Sequence, residues 1–326
     1  MGKEFSIIDA FFSHIGASNK KSQKKEIILS VGDDCALITP SPALSLAISM
    51  DTLVSGTHFF KEASGYEVGY KALAVNLSDI AAMGAKPKWF TLALTLPNVN
   101  EVWLKSFSEG LQVLASQFNT PLIGGDTTQG PLSVTIQIAG EVQPDLALRR
   151  DKAQANDLIF VSGTLGGAGL GLEYLLKKTN LNEAEAAPFV NKLKYPIPQV
   201  KLGQQLRSIA HACIDLSDGL QGDLQHILQK SQVGAKILLE AIPLYPNLLK
   251  YMTEFEALKL ALTFGDDYEL CFTVPAKNRK KVLDLGKKLS IPLYEIGTIT
   301  EQKKLQLFYK NTVFQAPQDW SSYEHF

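Results

Sequence analysis

Hydrophobic and polar positions alternate along this chain with two periods, and the switches between them mark its elements. "FSIIDAFFSHI" (5–15) has helical spacing. Apolar residues Ile27–Leu29 and Val31 lead into "GDD" (32–34), and Ala36, Leu37 and Ile38 continue the run. "LSLAISMDTLV" (44–54) predicts a strand that runs into a polar turn. "EVGYKALAVNLSDIAAMG" (67–84) predicts a helix that stops at Gly84, with Pro87 close behind. "WFTLALTLP" (89–97) predicts a strand, and "EVWLKSFSEGLQVLASQF" (101–118) a helix. "TPLIGGDTT" (120–128) reads as a short strand entering a Gly-rich turn, and "LSVTIQIAGEV" (132–142) as a strand with clear alternation.

A polar stretch, "QPDLALRRDKAQAND" (143–157), separates the halves and sets the expected boundary, domains 1–145 and 146–326. Beyond it, "LIFVSG", "AKILLEAIP", "YELCFTVP" and "LYEIGTITE" predict strands. "AGLGLEYLLKK", "PQVKLGQQLRSIAH" and "RKKVLDLGKKLS" predict helices. "ACIDLSDGLQGDLQHILQKS" (212–231) predicts a strand end, an acidic turn and a helix. Strands outnumber what a simple βαβ alternation supplies, so the expected class is α+β, two domains with mixed sheets. "NLSD" (76–79) echoes "DLSD" (215–218), and "GDD" recurs at 265–267, as a duplication would leave them.

Composition narrows the function classes. The 326 residues carry 32 Lys+Arg and 33 Asp+Glu, a formal net charge of −1, which gives no hint of nucleic acid or an anionic membrane. No run approaches ~18 consecutive apolar residues, so no membrane span is expected. Cys35, Cys213 and Cys271 have neither metal spacing nor an even count for a disulfide framework. "MGKEFSIIDAFF" lacks the apolar core of a signal peptide, and a reducing cytoplasm is the expected location.

Acids recur at the ends of apolar elements: Asp33 and Asp34, Asp51, Asp79, Asp126, Asp215, Asp218, Asp223, Asp266 and Asp267. Singly, each reads as an N-cap or a turn residue. Together they are many oxygen donors with few His or Cys, which suits Mg²⁺ or Mn²⁺ rather than zinc. Several such ions beside a polyphosphate point to phosphoryl transfer or phosphate hydrolysis. Gly124 and Gly125, and Gly163, Gly166, Gly167 and Gly169 before a helix, would let backbone amides approach an anion. The chain has no GxxxxGK[ST] and no HRD or DFG triplet. "VSGTLGGAGLGL" misses the dinucleotide fingerprint, since Leu172 stands where the last glycine would fall.

The ordered set "GDDCA", "SMDTLVSGTHF", "YKALAVNLSDIAAMGAKP", "WFTLALTLP", "LIGGDTT", "IDLSDGL" and "GDDYELCFTVP" resembles the thiamine-monophosphate kinase family, and the likeness runs through the C-terminal "DWSSYEHF". The resemblance implies the PurM-like fold, shared with aminoimidazole ribonucleotide synthetase and selenophosphate synthetase, and a homodimer formed through the N-terminal domains. It implies transfer of the γ-phosphate of ATP to thiamine monophosphate with several Mg²⁺ ions. It carries metal ligation to Asp34, Ser49, Met50, Asp51, Asp79, Asp126, Asp215 and Asp218, with Asp33 beside them. Met50 departs from the family's usual Thr; a thioether is a poor Mg²⁺ ligand, which leaves its backbone carbonyl. For ATP the resemblance points to Gly125, Asp126, Arg150 and Ser217. "RRDKAQAND" departs from the family pattern and leaves Arg149 and Arg150 both open. For the thiamine side it points to His58, Asp266 (where relatives carry Glu) and Tyr323. The catalytic set that the resemblance implies is Arg150, Asp51 and Asp126. The rival readings are another ATP-dependent enzyme of this fold, of the ribonucleotide cyclo-ligase type, and a non-catalytic divalent-cation or nucleotide-binding protein.

Overall fold

The computed structural model describes residues 7–16, 26–32 and 35–322. The chain divides into two compact units: Met1–Ile80 with Ala85–Asp145, and Leu146–Phe326 with Ala81–Gly84.

In the N-terminal unit, β1 (Ile27–Leu29) and β2 (Leu37–Ile38) form a small antiparallel pair flanking the acidic "GDD". The main sheet comprises β3 (Ser45–Val54), β4 (Lys86–Leu96), β5 (Leu122–Gln129) and β6 (Ser133–Val142), in the order β3-β6-β4-β5. β4 and β5 are parallel and the other pairs antiparallel. Side chains alternate across the sheet. Phe90, Leu92 and Leu94 of β4 and Val134, Ile136 and Ile138 of β6 are buried. The opposite face keeps Ile48 and Met50 both 57% exposed.

Two helices lie wholly or mostly in this unit, α1 (Gly65–Ala82) and α2 (Glu101–Phe118). α2 starts where the Asn100 side chain accepts from Trp103 N at 3.0 Å and stops at left-handed Asn119. Leu104, Phe107, Leu111 and Leu114 form its buried stripe. Gly65 and Gly69 of α1 and Gly110 of α2 allow the two backbones to touch: a Cβ at Gly69 would lie 2.2 Å from Phe107 O, and one at Gly110 2.2 Å from Tyr66 O. α1 is buried nearly all round, including the polar side chains of Lys71, Asn76 and Ser78. The predicted N-terminal helix appears in the described residues as one π-turn, Ile8–Phe12, with Phe12 edge-on to Phe107.

The C-terminal unit is built on a seven-stranded sheet. Its strands are β7 (Asp157–Ser162), β8 (Ala212–Asp215), β9 (Gly234–Leu238), β10 (Leu270–Pro275), β11 (Leu293–Thr300), β12 (Leu305–Tyr309) and β13 (Thr312–Phe314). Their order is β13-β12-β9-β11-β7-β10-β8, with only β9 and β12 parallel. The helices are α3 (Gly167–Leu175), α4 (Glu183–Lys194), α5 (Val200–Leu206), α6 (Leu220–Ser231), α7 (Leu248–Tyr251), α8 (Glu254–Thr263) and α9 (Arg279–Leu289). Central β7 and β10 are buried almost throughout, with Ile159, Phe160, Val161, Cys271 and Phe272 sealed from solvent beside the buried polar side chains of Asp157, Ser162 and Thr273. Both units are α+β with mixed sheets, as the periodicity predicts. Among the described residues no helix is long and apolar enough to cross a membrane.

Candidate functional site

The acids of the N-terminal unit are placed by β3 and α1. Ser49 and Asp51 stand two apart on β3 and so share a face; Asn76 and Asp79 stand three apart on α1 and so share a stripe. The Ser49 hydroxyl donates to Asp79 Oδ2 at 2.5 Å. The Asp51 backbone amide, on an edge strand, donates to Asn76 Oδ1 at 3.2 Å, and Asn76 Nδ2 is itself tied to Ala72 O at 2.9 Å. Asn76 thus holds the Asp51 backbone; it stands outside the candidate set read from the sequence, although its i, i+3 spacing from Asp79 in "NLSD" marks the shared face. Met50 points away from Ser49 and Asp51, to the exposed side of the sheet. His58 folds back on the end of β3, where its Nδ1 accepts from Val54 N at 3.0 Å. That bond leaves the proton of the neutral ring on Nε2.

Asp126 lies elsewhere. The register aligns Asp126 with Ala93, Ala93 with Thr135, and Thr135 with Thr52, so Asp126 and Thr52 stand on one rung at opposite edges of the sheet. Three strand spacings separate them, ~14 Å. Asp126 is exposed on the face that also carries Thr52, whereas Asp51 is on the helix-facing side. Asp51 and Asp126 of one chain therefore do not meet. The glycines before Asp126 also differ from expectation. They lie within β5, not in a turn, and a Cβ at Gly125 would sit 1.8 Å from Leu92 O. Gly125 thus serves the close approach of β4, while Gly124 has open space where a Cβ would be.

In the C-terminal unit, Asp215 ends β8, and Ser217 and Asp218 form the turn before α6. Asp223, in the first turn of α6, accepts from Asp218 N at 3.0 Å. Asp223 is buried, and that burial, reinforced by Asp215, pushes its pKa up to about 8, with the Arg150 charge pulling in the other direction. The backbone of Arg150 is pinned by Ser231 Oγ, which donates to its carbonyl at 2.7 Å. Arg149 instead forms a two-pronged pair with Asp151, at 2.8 and 2.5 Å.

"GDDYE" runs beside this turn. Asp266 N donates to Ser217 O at 2.9 Å, Tyr268 N to Leu216 O at 2.8 Å, and Leu216 N to Glu269 O at 2.8 Å. Asp266 and Tyr268 are both left-handed, at φ +67° and +47°, which costs each roughly 1 kcal/mol. The alternation turns Asp267 inward: it is 3% exposed and accepts from Gly166 N at 2.8 Å.

This bond corrects the expectation for the second glycine cluster. The N-terminus of α3 already holds a carboxylate of the protein itself, so Gly166 is not an open phosphate cradle. Gly163 lies against the Glu269 carboxylate and Gly167 against the Tyr245 ring. Glu269 accepts from Ser162 Oγ at 2.7 Å, Lys192 Nζ at 2.8 Å and Gln199 Nε2 at 3.0 Å. Burial raises the pKa of Glu269 in spite of Lys192, and pushes that of Asp267 up to about 7 against the pull of Lys192 and the Gly166 amide. Burial also disfavours the charge on Lys192, but Glu269 and Asp267 outweigh it and its pKa is raised.

Asp33, Asp34 and Tyr323 lie outside the described residues. The tail leading to Tyr323 is anchored as far as Ser322. Trp320 is buried against Phe314, its carbonyl accepts from Gln221 Nε2 at 3.3 Å, and Ser322 rests on Gly222. The described donors near the acid sites are carboxylate, hydroxyl and amide oxygens, a set that fits a hard cation. Among the described residues, no three or more His, Cys, Asp or Glu side chains gather closely enough to hold a metal by themselves.

Residues 32–142 match the family described as "AIR synthase related protein, N-terminal domain", and residues 154–310 its C-terminal domain. A thiamine-monophosphate kinase of Escherichia coli (strain K12) is 44% identical over 325 residues, covering 99% of this chain and 98% of the relative. The crystal structure of thiamine-monophosphate kinase from Stenotrophomonas maltophilia K279a superposes with a TM-score of 0.85 at 40% identity, covering 96% of this chain and 98% of that one. A ThiL structure complexed with AMPPCP and TMP superposes at 0.77 with 28% identity, covering 88% and 89%. These likenesses span both units and carry the two-domain, PurM-like α+β fold. With 44% identity along almost its whole length, the chain belongs to the thiamine-monophosphate kinase family.

Proposed function

We propose that this chain transfers the γ-phosphoryl group of ATP to thiamine monophosphate, giving thiamine diphosphate and ADP. The observation that carries the reading is 44% identity to a thiamine-monophosphate kinase across 99% of this chain. The related complex with AMPPCP and TMP, in which an ATP analogue accompanies the second ligand, supports direct transfer. The nucleophile is a phosphate oxygen of thiamine monophosphate, already ionised near neutral pH, so no strong general base is needed. The barrier is repulsion between two polyanions, and the protein's task is to neutralise and align them.

Asp34, Ser49, Asp51, Asp79, Asp126, Asp215 and Asp218, with the Met50 carbonyl, would hold Mg²⁺. Bound there, such ions would supply positive charge against the two polyanionic substrates. Asn76 holds β3 so that Asp51 keeps its place, and Asp223 holds the backbone of Asp218. Gly125, Asp126, Arg150 and Ser217 serve ATP; the guanidinium of Arg150 suits a transferring phosphoryl group. His58, Asp266 and Tyr323 serve thiamine monophosphate, where a carboxylate suits the cationic thiazolium and an aromatic ring suits stacking. The near-neutral charge and three free cysteines fit a cytoplasmic location, which cell fractionation would check.

ADP release tests the reading. Release should depend on thiamine monophosphate and yield thiamine diphosphate, with thiamine and aminoimidazole ribonucleotide precursors inactive. A chain that binds ATP yet releases no ADP with thiamine monophosphate is not this enzyme.

The active form is a homodimer built on the N-terminal unit. Two features favour it: the exposed apolar positions Ile48 and Met50 on the open sheet face, and the separation of Asp51 from Asp126 in one chain. Light scattering at micromolar concentration should return about twice the 35.7 kDa chain mass. A monomeric mass rejects it.

A further inference from the structure

We infer that Asp267 is a positioning residue for the thiamine side: its buried carboxylate ties the Gly-rich turn before α3 to the segment 264–268 and so fixes the backbone from which Asp266 acts. The inference rests on the reading above, in which Asp266 meets thiamine monophosphate.

Two adjacent acids have opposite fates here. Asp266 remains partly accessible, while Asp267 is 3% exposed. The split requires left-handed backbone on both sides of Asp267, at Asp266 and Tyr268, which non-glycine residues adopt only when their surroundings hold them there. One side of the segment is held by backbone bonds to Leu216 and Ser217. The Asp267 carboxylate supplies the tie on the other side, reaching Gly166 N across 101 residues of sequence. The receiving turn is itself fixed, because Gly163 abuts Glu269 and Ser162 donates to the same carboxylate.

Packing alone is a poor account of Asp267. Its Oδ1 is buried with no hydrogen-bond partner among the described residues, an arrangement that weakens a fold. What the carboxylate contributes in return is directional: an acceptor aimed at the Gly166 amide that caps α3, with the Ala168 amide of the first turn acting on it as well. Its charge is offset by Lys192, whose ammonium lies on Glu269 and acts on Asp267 as well. The consequence lands on Asp266, the neighbour whose φ of +67° depends on the tie.

The test is steady-state kinetics on Asp266→Ala, Asp267→Ala, Asp267→Asn and the double alanine variant, each with its melting temperature. Asp267→Ala should raise KM for thiamine monophosphate about tenfold and leave KM for ATP within about twofold. Asp267→Asn keeps an acceptor oxygen for Gly166 N and should recover KM to within about threefold of wild type. The double variant should be no worse in KM than Asp266→Ala, because Asp267 acts through Asp266. If Asp267→Ala does not accumulate as folded protein, Asp267→Ser takes its place, keeping a polar atom but too short for the bond. An unchanged KM for thiamine monophosphate, or effects of the two alanines that multiply, overturns the inference whatever the melting temperature does. A wild-type protein with no thiamine monophosphate-dependent ADP release overturns the proposed function instead.

Discussion

Asp51→Asn should lower turnover by roughly a thousandfold, the several kcal/mol that a metal-ordered phosphoryl transfer loses with one of its ligands. The fold should survive, because the Asp51 backbone keeps its bond to Asn76 and its pairing with Ile136. Apparent Mg²⁺ affinity should fall with turnover, and melting temperature should not. Asp126→Asn should behave alike, but from the other edge of the sheet. This makes a sharper experiment possible. If one ion needs both carboxylates, they come from two copies. An equal mixture of the two inactive variants then makes about half mixed dimers, each with one intact site of two, and recovers about a quarter of wild-type activity. Near wild-type turnover of either variant at limiting Mg²⁺ would remove that residue from the metal set. A mixture whose subunits exchange but which stays inactive would reject the shared site.

The sequence was most legible where period and punctuation agreed. α2 carries an apolar stripe between Asn100 and Asn119, and β6 alternates cleanly, so both elements emerge as predicted. β5 misled because Gly124–Gly125 look like a turn. Pairing with β4 overrides the local preference, and contact with Leu92 explains the glycine. α4 escaped notice because Pro188 lies inside it and its buried face is only Ala186, Phe189 and Leu193. Its capping box, Asn182 with Glu185, was nonetheless readable, as was that of α8, Thr253 with Glu256. Strand order is the part that periodicity cannot carry. That Asp51 and Asp126 occupy opposite edges is a property of the order β3-β6-β4-β5, and no spacing in the chain encodes it.

The same holds for the second acidic "GDD". Sequence offered Gly163–Gly169 and Asp266–Asp267 as separate features, 100 residues apart. The antiparallel pairing of β10 with β7 brings their ends together, and the helix N-terminus that looked open to phosphate is filled from within. Lys192 then has a reason to be there. It lies on α4, where nothing in the local sequence marks it, yet it supplies the cation that two buried carboxylates require.

Removing that cation should produce the largest stability loss. In Lys192→Met the Glu269 carboxylate keeps Ser162 and Gln199 but loses its counter-charge, and Asp267 loses the same charge at longer range. Breaking a buried pair on one side costs about 3–5 kcal/mol. For a chain of this size the melting temperature should drop on the order of 10 °C. The loss should also depend on pH with a definite sign. Glu269 and Asp267 both have folded-state pKa values raised above their ordinary ones, Asp267 to about 7. A raised carboxylate binds its proton more tightly when folded. Its contribution is therefore most favourable at low pH and is lost as pH rises from the unfolded value toward the folded one. Without Lys192 the folded values rise further, so the deficit should be small near pH 5 and large near pH 8. Lys192→Met/Glu269→Gln removes the stranded charge while keeping hydrogen-bonding atoms beside Ser162 and Gln199, and should regain most of the lost stability at pH 8. Thermal melts of the three proteins across pH 5–8 decide the matter. A Lys192→Met deficit that is flat across that range, or a double variant no better than the single, would show that Lys192 stabilises the fold by packing its methylenes and not by charge.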